Sequence, residues 1–396
     1  MARRTFPKFD MAKSIPYGWL LAGILTIPGC TLAPPAKPTP VPKSARLPVQ
    51  VTPVTTPVAR PSGIIGQDAT GRYYAARISG DFVGYPELES FIGRMTSRHG
   101  FSREYLYGLF SQVHRKEATI RLLGPAQISP TPPRPGAWTR YRAKFLTEPH
   151  IAAGAAFWSR HAATLQRAAE RYGVPPEYVM GIMGVETIYG GNVGNFRVID
   201  ALTTAAFDYP RRAEYFTGEL ENLLLMAREE SLDPSRPVGS FAGAMGLGQF
   251  MPGSFLHHAV DFDGDGRRDL WDPVDAIGSV ANYFAAYGWK RGEPVVTPAV
   301  ANGEIAQELQ PGLENKYSLP TLAGYGIRPT SMSGFSPNST VRLLRLSTLH
   351  GDEYWLGHDN FYVISRYNHS THYAMAVHEL AQAVKRRHQG GVVSGR

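Results

Sequence analysis

The feature that most limits what this chain can fold into is a change of hydrophobic period, followed by a return. From about Pro149, residues recur at helical spacing: Phe157, His161, Leu165, Ala168 and Tyr172 form one stripe, which Gly173 stops. The same reading predicts helices from Pro175-Pro176 to Gly190-Gly191, from about Arg212 to Glu230, near Gly253–Val260 and over Pro273–Tyr287. From Glu293 to about Phe361, prolines, glycines and β-formers take over, and Val341–Ser347 runs into a turn at His350-Gly351-Asp352. Helical period resumes at Ser370, with Tyr373, Val377, Leu380, Ala381 and Val384 on one face. Such a return predicts a mainly α, α+β fold, a helical body carrying a small inserted β domain. Upstream, Glu87–Ala118 is helix-compatible, with Phe91, Ile92 and Met95 at helical spacing. The expected divisions are an α domain at 71–148, a helical core at 149–292, the β domain at 293–360 and a returning helix at 361–390.

The first seventy residues belong to none of this. Arg3, Arg4, Lys8 and Lys13 precede an apolar run, Tyr17–Ile27, that suits an export signal and is too short to span a bilayer comfortably. The run ends in Pro28-Gly29-Cys30, and Cys30 is the single cysteine of the chain. Its position resembles that of a lipobox cysteine, so residues 1–29 are expected to be a lipoprotein signal peptide and Cys30 a lipidation site. Thr31–Pro61 carries nine prolines, which reads as a semi-rigid tether, taken as residues 30–70. One cysteine excludes an internal disulfide and a CxxC zinc site. The net charge of +8 favours an anionic partner without choosing among nucleic acid, membrane surface and acidic polymer.

One acid stands out by position. On the helix that opens at Pro176, the apolar stripe is Val179, Ile182 and Met183, and Glu186 continues it at i+7, i+4 and i+3. A carboxyl on that stripe points toward the core or the floor of a cleft. Desolvation and the negative end of the helix dipole there both disfavour the charged form. An acid held protonated near neutrality is what general-acid cleavage of a glycosidic bond needs.

A second pattern concerns a metal. Asp261, Asp263 and Asp265, with Gly266 for the turn and the Arg267 carbonyl, match D-x-D-x-D-G, a hard-oxygen set suited to structural Ca²⁺. Position twelve is Asp272 rather than glutamate; Asp272-Pro273 also reads as a helix cap. Asp275 is therefore the favoured closing ligand and Asp272 the second choice. The glycine-rich segment Ser240–Phe250 lacks the phosphate-loop lysine, so no nucleotide is expected there. It reads instead as backbone passing close to an extended ligand, with Gln249 offering hydrogen bonds. Phe250, Tyr283, Tyr367 and Tyr373 are available to stack on sugar rings.

Longer blocks carry a resemblance. Gly184-Val-Glu186-Thr, Ile199–Phe216, Gly239–Pro252, Leu270–Phe284 and Arg366–Val377 recur in order over about Trp138–Val384 and closely resemble the membrane-bound lytic murein transglycosylase B family. The resemblance implies a lysozyme-like core with an EF-hand-like calcium loop, and no organic cofactor. It implies Glu186 as lone catalytic acid/base, with Ser240, Gln249, Phe250, Tyr367, Asn368, Tyr373 and Arg212 along the sugar cleft. The implied activity is cleavage of the MurNAc-GlcNAc bond of peptidoglycan to 1,6-anhydro ends, at the periplasmic face of the outer membrane of a Gram-negative bacterium. The implied partners are glycan strands, the outer membrane through its lipid anchor and complexes of cell-wall synthesis or division; nucleic acid is not among them. Two other readings stay open on the residues: a hydrolytic muramidase pairing Glu186 with Asp200, Asp208 or Glu214, and a lipoprotein that binds peptidoglycan without cutting it.

Overall fold

The computed structural model describes residues 73–124, 135–302, 308–336 and 338–393. The expected export signal (residues 1–29), Cys30 and the tether (residues 30–70) lie outside the described residues.

Three helices open the described chain: α1 (Pro86–His99), α2 (Arg103–Phe110) and α3 (Glu117–Leu123). Proline in the first turn of α1, glutamates beside it, and Arg98 and His99 in the last turn match the helix's end charges. Phe91, Ile92 and Met95 are fully buried, as their spacing predicts. Then follow α4 (Ala137–Arg142), α5 (Glu148–Arg160), α6 (Ala162–Tyr172) and α7 (Pro176–Thr187). A two-residue strand β1 (Phe196–Arg197) leads into α8 (Val198–Asp208), α9 (Ala213–Glu229), β2 (Val238–Gly239), α10 (Pro252–His258) and α11 (Pro273–Ala286).

Two expectations need correction here. The stripe from Phe157 to Tyr172 is not one helix: the chain breaks at His161 (φ −114°, ψ 23°), and α5 then packs on the last helix while α6 packs on α11. A stripe survives such a bend, so spacing alone does not reveal it. The next helix stops at Thr187 rather than at the glycines, because Ile188 and Tyr189 both adopt left-handed backbone (φ 54° and 57°). Helix α8 carries no periodic signal because it is apolar nearly all round. Its first nine residues are all buried, and it lies against α9.

The β segment contains β3 (Val296–Ala301), β4 (Tyr317–Ser318), α12 (Leu319–Gly324), β5 (Ile327–Pro329), β6 (Thr340–Thr348) and β7 (Gly351–Gly357). They form an antiparallel sheet of order β4-β6-β7-β3-β5. The β6–β7 hairpin pairs Arg342 with Gly357 through to Thr348 with Gly351. Val341 and Leu343 join a small apolar cluster with Leu322, Ile327 and Leu356, while Leu344 and Leu346 join the main core beside Phe361. Period two thus buries both faces of β6. The chain returns through α13 (Asp359–Ser365) and α14 (Thr371–Val393).

The centre of the molecule is α7. Val179, Ile182 and Met183 are essentially inaccessible, each contributing roughly 1.5–3 kcal/mol of apolar burial. Helix α14 lies along it, and two glycines allow the approach. A methyl on Gly181 would sit 2.6 Å from the Val377 carbonyl oxygen, and one on Gly184 would sit 2.7 Å from the Leu380 side chain. The close crossing sets the register that brings Tyr373 opposite Glu186.

Candidate active site

Glu186 is the penultimate residue of α7 and lines a groove of about 560 Å³. Its side chain is half-buried. Tyr373, on the first turn of α14, donates its phenolic hydrogen to Glu186 Oε1 at 2.5 Å. Burial pushes the Glu186 carboxyl up to about 7, against the opposing effect of that hydrogen bond. The acid is therefore divided between its two forms near neutrality. Tyr367 and Tyr141 sit near enough that the Glu186 charge adds to burial in raising both phenols. Tyr141 is pushed up to about 12, so both phenols stay protonated beside the acid.

The end of α7 is tied to the glycine-rich segment. Thr187 donates its hydroxyl to the Leu247 carbonyl at 2.8 Å and accepts from the Gly190 amide at 3.0 Å. Tyr367 donates to the Gly248 carbonyl at 2.5 Å. Within the segment, Ser240 Oγ accepts from the Ala242 and Ala244 amides, and Met245 and Phe250 exchange backbone hydrogen bonds. These bonds hold the loop against the acid and engage most of its amides internally.

The groove brings together Glu186, Arg212, Ser240, Gln249, Phe250 and Tyr367, with Asn368 beside them. Several do a different job from the one expected. Gln249 takes left-handed backbone (φ 52°) and donates its amide to the Val193 and Gly246 carbonyls, leaving its carbonyl oxygen for the groove. Phe250 and Tyr283 line the cavity but are nearly inaccessible, so little of either ring is open to a sugar. Tyr373 does not line the groove; it stands behind the acid, 2% exposed. The exposed aromatic side chains of the groove are Tyr215 and Tyr287, which periodicity assigns no role. Arg212 lies 4.1 Å from the Tyr215 ring centre, and Arg366 lies 5.4 Å from that of Tyr287.

The acids considered as partners for Glu186 are occupied elsewhere. Asp200 is fully buried beside Lys116 and Arg197, Asp208 pairs with Arg115 at 2.6 Å, and Glu214 is exposed outside the groove. Among the described residues, the other carboxyl lining the groove is Glu219 on α9. It accepts from the Gly253 amide at 2.7 Å, and burial raises its pKa. Its place on a mixed helix face gives no signal in the sequence.

In the loop before α11, Asp261, Asp263 and Asp265 place carboxylate oxygens within 4.8 Å of one another. Gly266 (φ 92°) makes the turn, and its amide donates to Asp261 at 2.9 Å. Three exposed carboxylates this close repel unless a cation joins them, so the donor set fits a hard divalent ion. The two expected closing ligands both accept backbone amides. Asp272 caps α11 by accepting from Val274 at 2.6 Å. Asp275 is 2% exposed and accepts from the amides of Phe262, Asp263 and Asp269, which makes it the brace of the loop. The Arg267 amide donates to Asp265 at 2.8 Å.

Residues 84–382 match the family described as "Transglycosylase SLT domain". The chain is 49% identical over 337 residues to membrane-bound lytic murein transglycosylase B of Escherichia coli K12, covering 84% of this chain and 91% of that one. The structure of the E. coli lytic transglycosylase Slt35 in complex with calcium superposes with a TM-score of 0.73 at 49% identity, over 79% of this chain and 96% of that one. SltB3 of Pseudomonas aeruginosa in complex with NAG-NAM-pentapeptide gives 0.66 at 31% identity, over 75% and 78%. The chain belongs to the lytic murein transglycosylase family.

Proposed function

We propose that Glu186 alone carries acid/base catalysis in cleavage of the MurNAc-GlcNAc β-1,4 bond of peptidoglycan. The observation that carries this reading is a half-buried carboxyl on the groove floor, poised at about 7 and oriented by Tyr373. Protonated Glu186 gives its hydrogen to the glycosidic oxygen as the bond to the anomeric carbon breaks. The neighbouring acetamido oxygen stabilises the positive charge that develops. Glu186, now a carboxylate, accepts the proton of the muramic C6 hydroxyl, which attacks C1 and closes the 1,6-anhydro ring. One carboxyl serves both steps because the nucleophile is tethered and near. Arg212, Gln249, Asn368 and the exposed side chains of Tyr215 and Tyr287 hold the strand.

The trio Asp261, Asp263 and Asp265 would hold Ca²⁺ as a clamp on the loop that leads into α11. A bound ion supplies structural closure there and takes no part in proton transfer. Acylation of Cys30 and a location at the periplasmic face of the outer membrane complete the reading, supported by the sequence of the leader and by the membrane-bound relative.

The test is mass spectrometry of digested sacculi. Wild type is expected to release anhydro-muropeptides and Glu186→Gln none. Reducing ends, heavier by one water (about 18 Da), would replace this reading with hydrolysis.

A further inference from the structure

The helix that delivers Glu186 ends in a strained reversal. Ile188 and Tyr189 follow one another in left-handed backbone, at φ 54° and 57°, a conformation that a β-branched residue such as isoleucine rarely adopts. Strain of this kind persists only where the surroundings hold it. Tyr189 turns inward and wedges its phenol between α5 and α7: a methyl on Gly154 or on Gly184 would lie 2.5 Å from its oxygen. The rest of the hold falls on Thr187, which is fully buried. Its carbonyl accepts from the Asn192 amide at 2.8 Å and its hydroxyl oxygen from the Gly190 amide at 3.0 Å, which closes the reversal. The hydroxyl has one hydrogen to give and two acceptors in range, the Leu247 carbonyl at 2.8 Å and the Met183 carbonyl at 3.2 Å. The Met183 carbonyl already takes the Tyr189 amide at 3.0 Å, so the hydrogen belongs to Leu247. Leu247 is itself fixed, its amide donating to the Leu270 carbonyl at 2.8 Å. One side chain thus pins the reversal and ties it to the glycine-rich loop, directly after the acid in sequence.

We infer that Thr187 is a positioning residue for Glu186: its hydroxyl keeps the last turn of α7 from relaxing and so holds the acid against Tyr373 and toward the groove. The inference rests on the reading that Glu186 carries the acid/base chemistry. Without the hydroxyl, the Gly190 amide and the Leu247 carbonyl lose their partner together, and the two left-handed residues gain room to relax. Glu186 is the next residue along the helix, and its contact with Tyr373 at 2.5 Å opens on a small displacement. A misplacement of about 1 Å in a reacting group costs on the order of a hundred-fold in rate.

The experiment compares Thr187→Val, which keeps the shape and removes the hydroxyl, with Thr187→Ser, which keeps the hydroxyl and removes a methyl. Turnover of peptidoglycan should fall by about ten- to a hundred-fold in Thr187→Val and stay within about three-fold of wild type in Thr187→Ser. The titratable groups facing Glu186 are the phenols of Tyr141, Tyr367 and Tyr373, all raised by burial, so the alkaline limb of the pH–rate profile reports on the acid. That limb should move upward in Thr187→Val as the Tyr373 contact opens, and adding Thr187→Val to Tyr373→Phe should move it no further. A merely structural role would lower the amount of folded enzyme and leave the limb in place. Thr187→Cys, close in size and a weak donor, takes the place of valine if that variant does not fold, and its turnover should fall between those of wild type and inactive enzyme. Wild-type turnover in Thr187→Val or Thr187→Cys, an impaired Thr187→Ser, an unmoved limb, or a further shift in the Tyr373→Phe background overturns the inference. Glu186→Gln, assayed alongside, separates the two readings. If it keeps wild-type turnover, the catalytic reading falls; if it is inactive while Thr187→Val matches wild type, the positioning role alone falls.

Discussion

Tyr373 and Glu186 are 187 residues apart in sequence, yet their oxygens meet at 2.5 Å because α14 crosses α7 over Gly181 and Gly184. Two influences on the acid are thereby set against each other. Burial disfavours the carboxylate, and the phenolic hydrogen favours it. The balance near 7 is a property of that crossing rather than of the acid alone.

Removing the phenolic hydroxyl tests this balance. The reaction starts from protonated Glu186, so kcat falls as pH rises through the acid's pKa of about 7. Tyr373→Phe deletes the one contact that lowers this pKa, so the alkaline limb should move upward, by about one pH unit. A pH–rate profile of the two enzymes reads the shift directly. An unmoved or lowered limb would show that Tyr373 does not bear on the proton.

The same acid costs stability. Its folded pKa of about 7 lies above the ordinary carboxylate value, so the folded state binds protons more tightly than the unfolded one. The contribution is fully present below about pH 4.5 and is lost as pH rises toward and through 7. Glu186→Gln removes the charge that burial opposes. It should unfold at a higher temperature than wild type at pH 8, by an amount equivalent to about 2–3 kcal/mol, and near equality should return at pH 4. Activity should fall by on the order of 10³-fold or more. Thermal melts at the two pH values, with turnover measured on the same preparations, check both.

How much of this was legible in the sequence follows from what periodicity can carry. Glu186 is visible because it interrupts an apolar stripe on its own helix, and Tyr373 is placed on a buried face by the same rule. Their contact is not visible, since it depends on how two helices cross, and the glycines that permit the crossing look like poor helix formers in isolation. The hairpin β6–β7 follows from a change of period and a turn. Helix α8 is hidden because nearly uniform burial erases its period, and the bend at His161 is hidden because a stripe survives it. Asp275 is read as a metal ligand by count along the chain; that three backbone amides also converge on its buried carboxylate, while the Asp261, Asp263 and Asp265 trio is exposed, is not visible there.

That distinction makes a prediction about calcium. Asp263 is exposed and belongs to the carboxylate trio, whereas Asp275 is buried and accepts amides. Wild type should gain about 2–3 kcal/mol when calcium exceeds its dissociation constant about a hundred-fold. Asp263→Asn should lose most of that gain while melting like wild type in chelator. Asp275→Asn should melt lower even in chelator, because the amide nitrogen cannot accept and at least one buried N–H is left unpaired. Calorimetry with and without calcium distinguishes the two, and identical behaviour would refute the division of roles.

Glu219 bears on whether water or the sugar's own hydroxyl is the nucleophile. A hydrolytic enzyme of the inverting or retaining kind needs a second carboxyl as base or nucleophile, and Glu219 supplies the other one in this groove. Its contacts argue for holding rather than for chemistry. One oxygen is bound by the Gly253 amide and the side chain lies alongside Asn222, so the carboxyl is braced in the groove wall. Glu219→Gln keeps a hydrogen-bonding side chain of the same shape. It should raise KM by about three- to ten-fold, through a loosened Gly253 contact and a changed groove wall, while products remain wholly anhydro-ended and kcat changes by less than about ten-fold. Were kcat instead to collapse as in Glu186→Gln, with wild type yielding reducing ends, the chemistry would belong to a carboxyl pair and the tethered hydroxyl would lose its part.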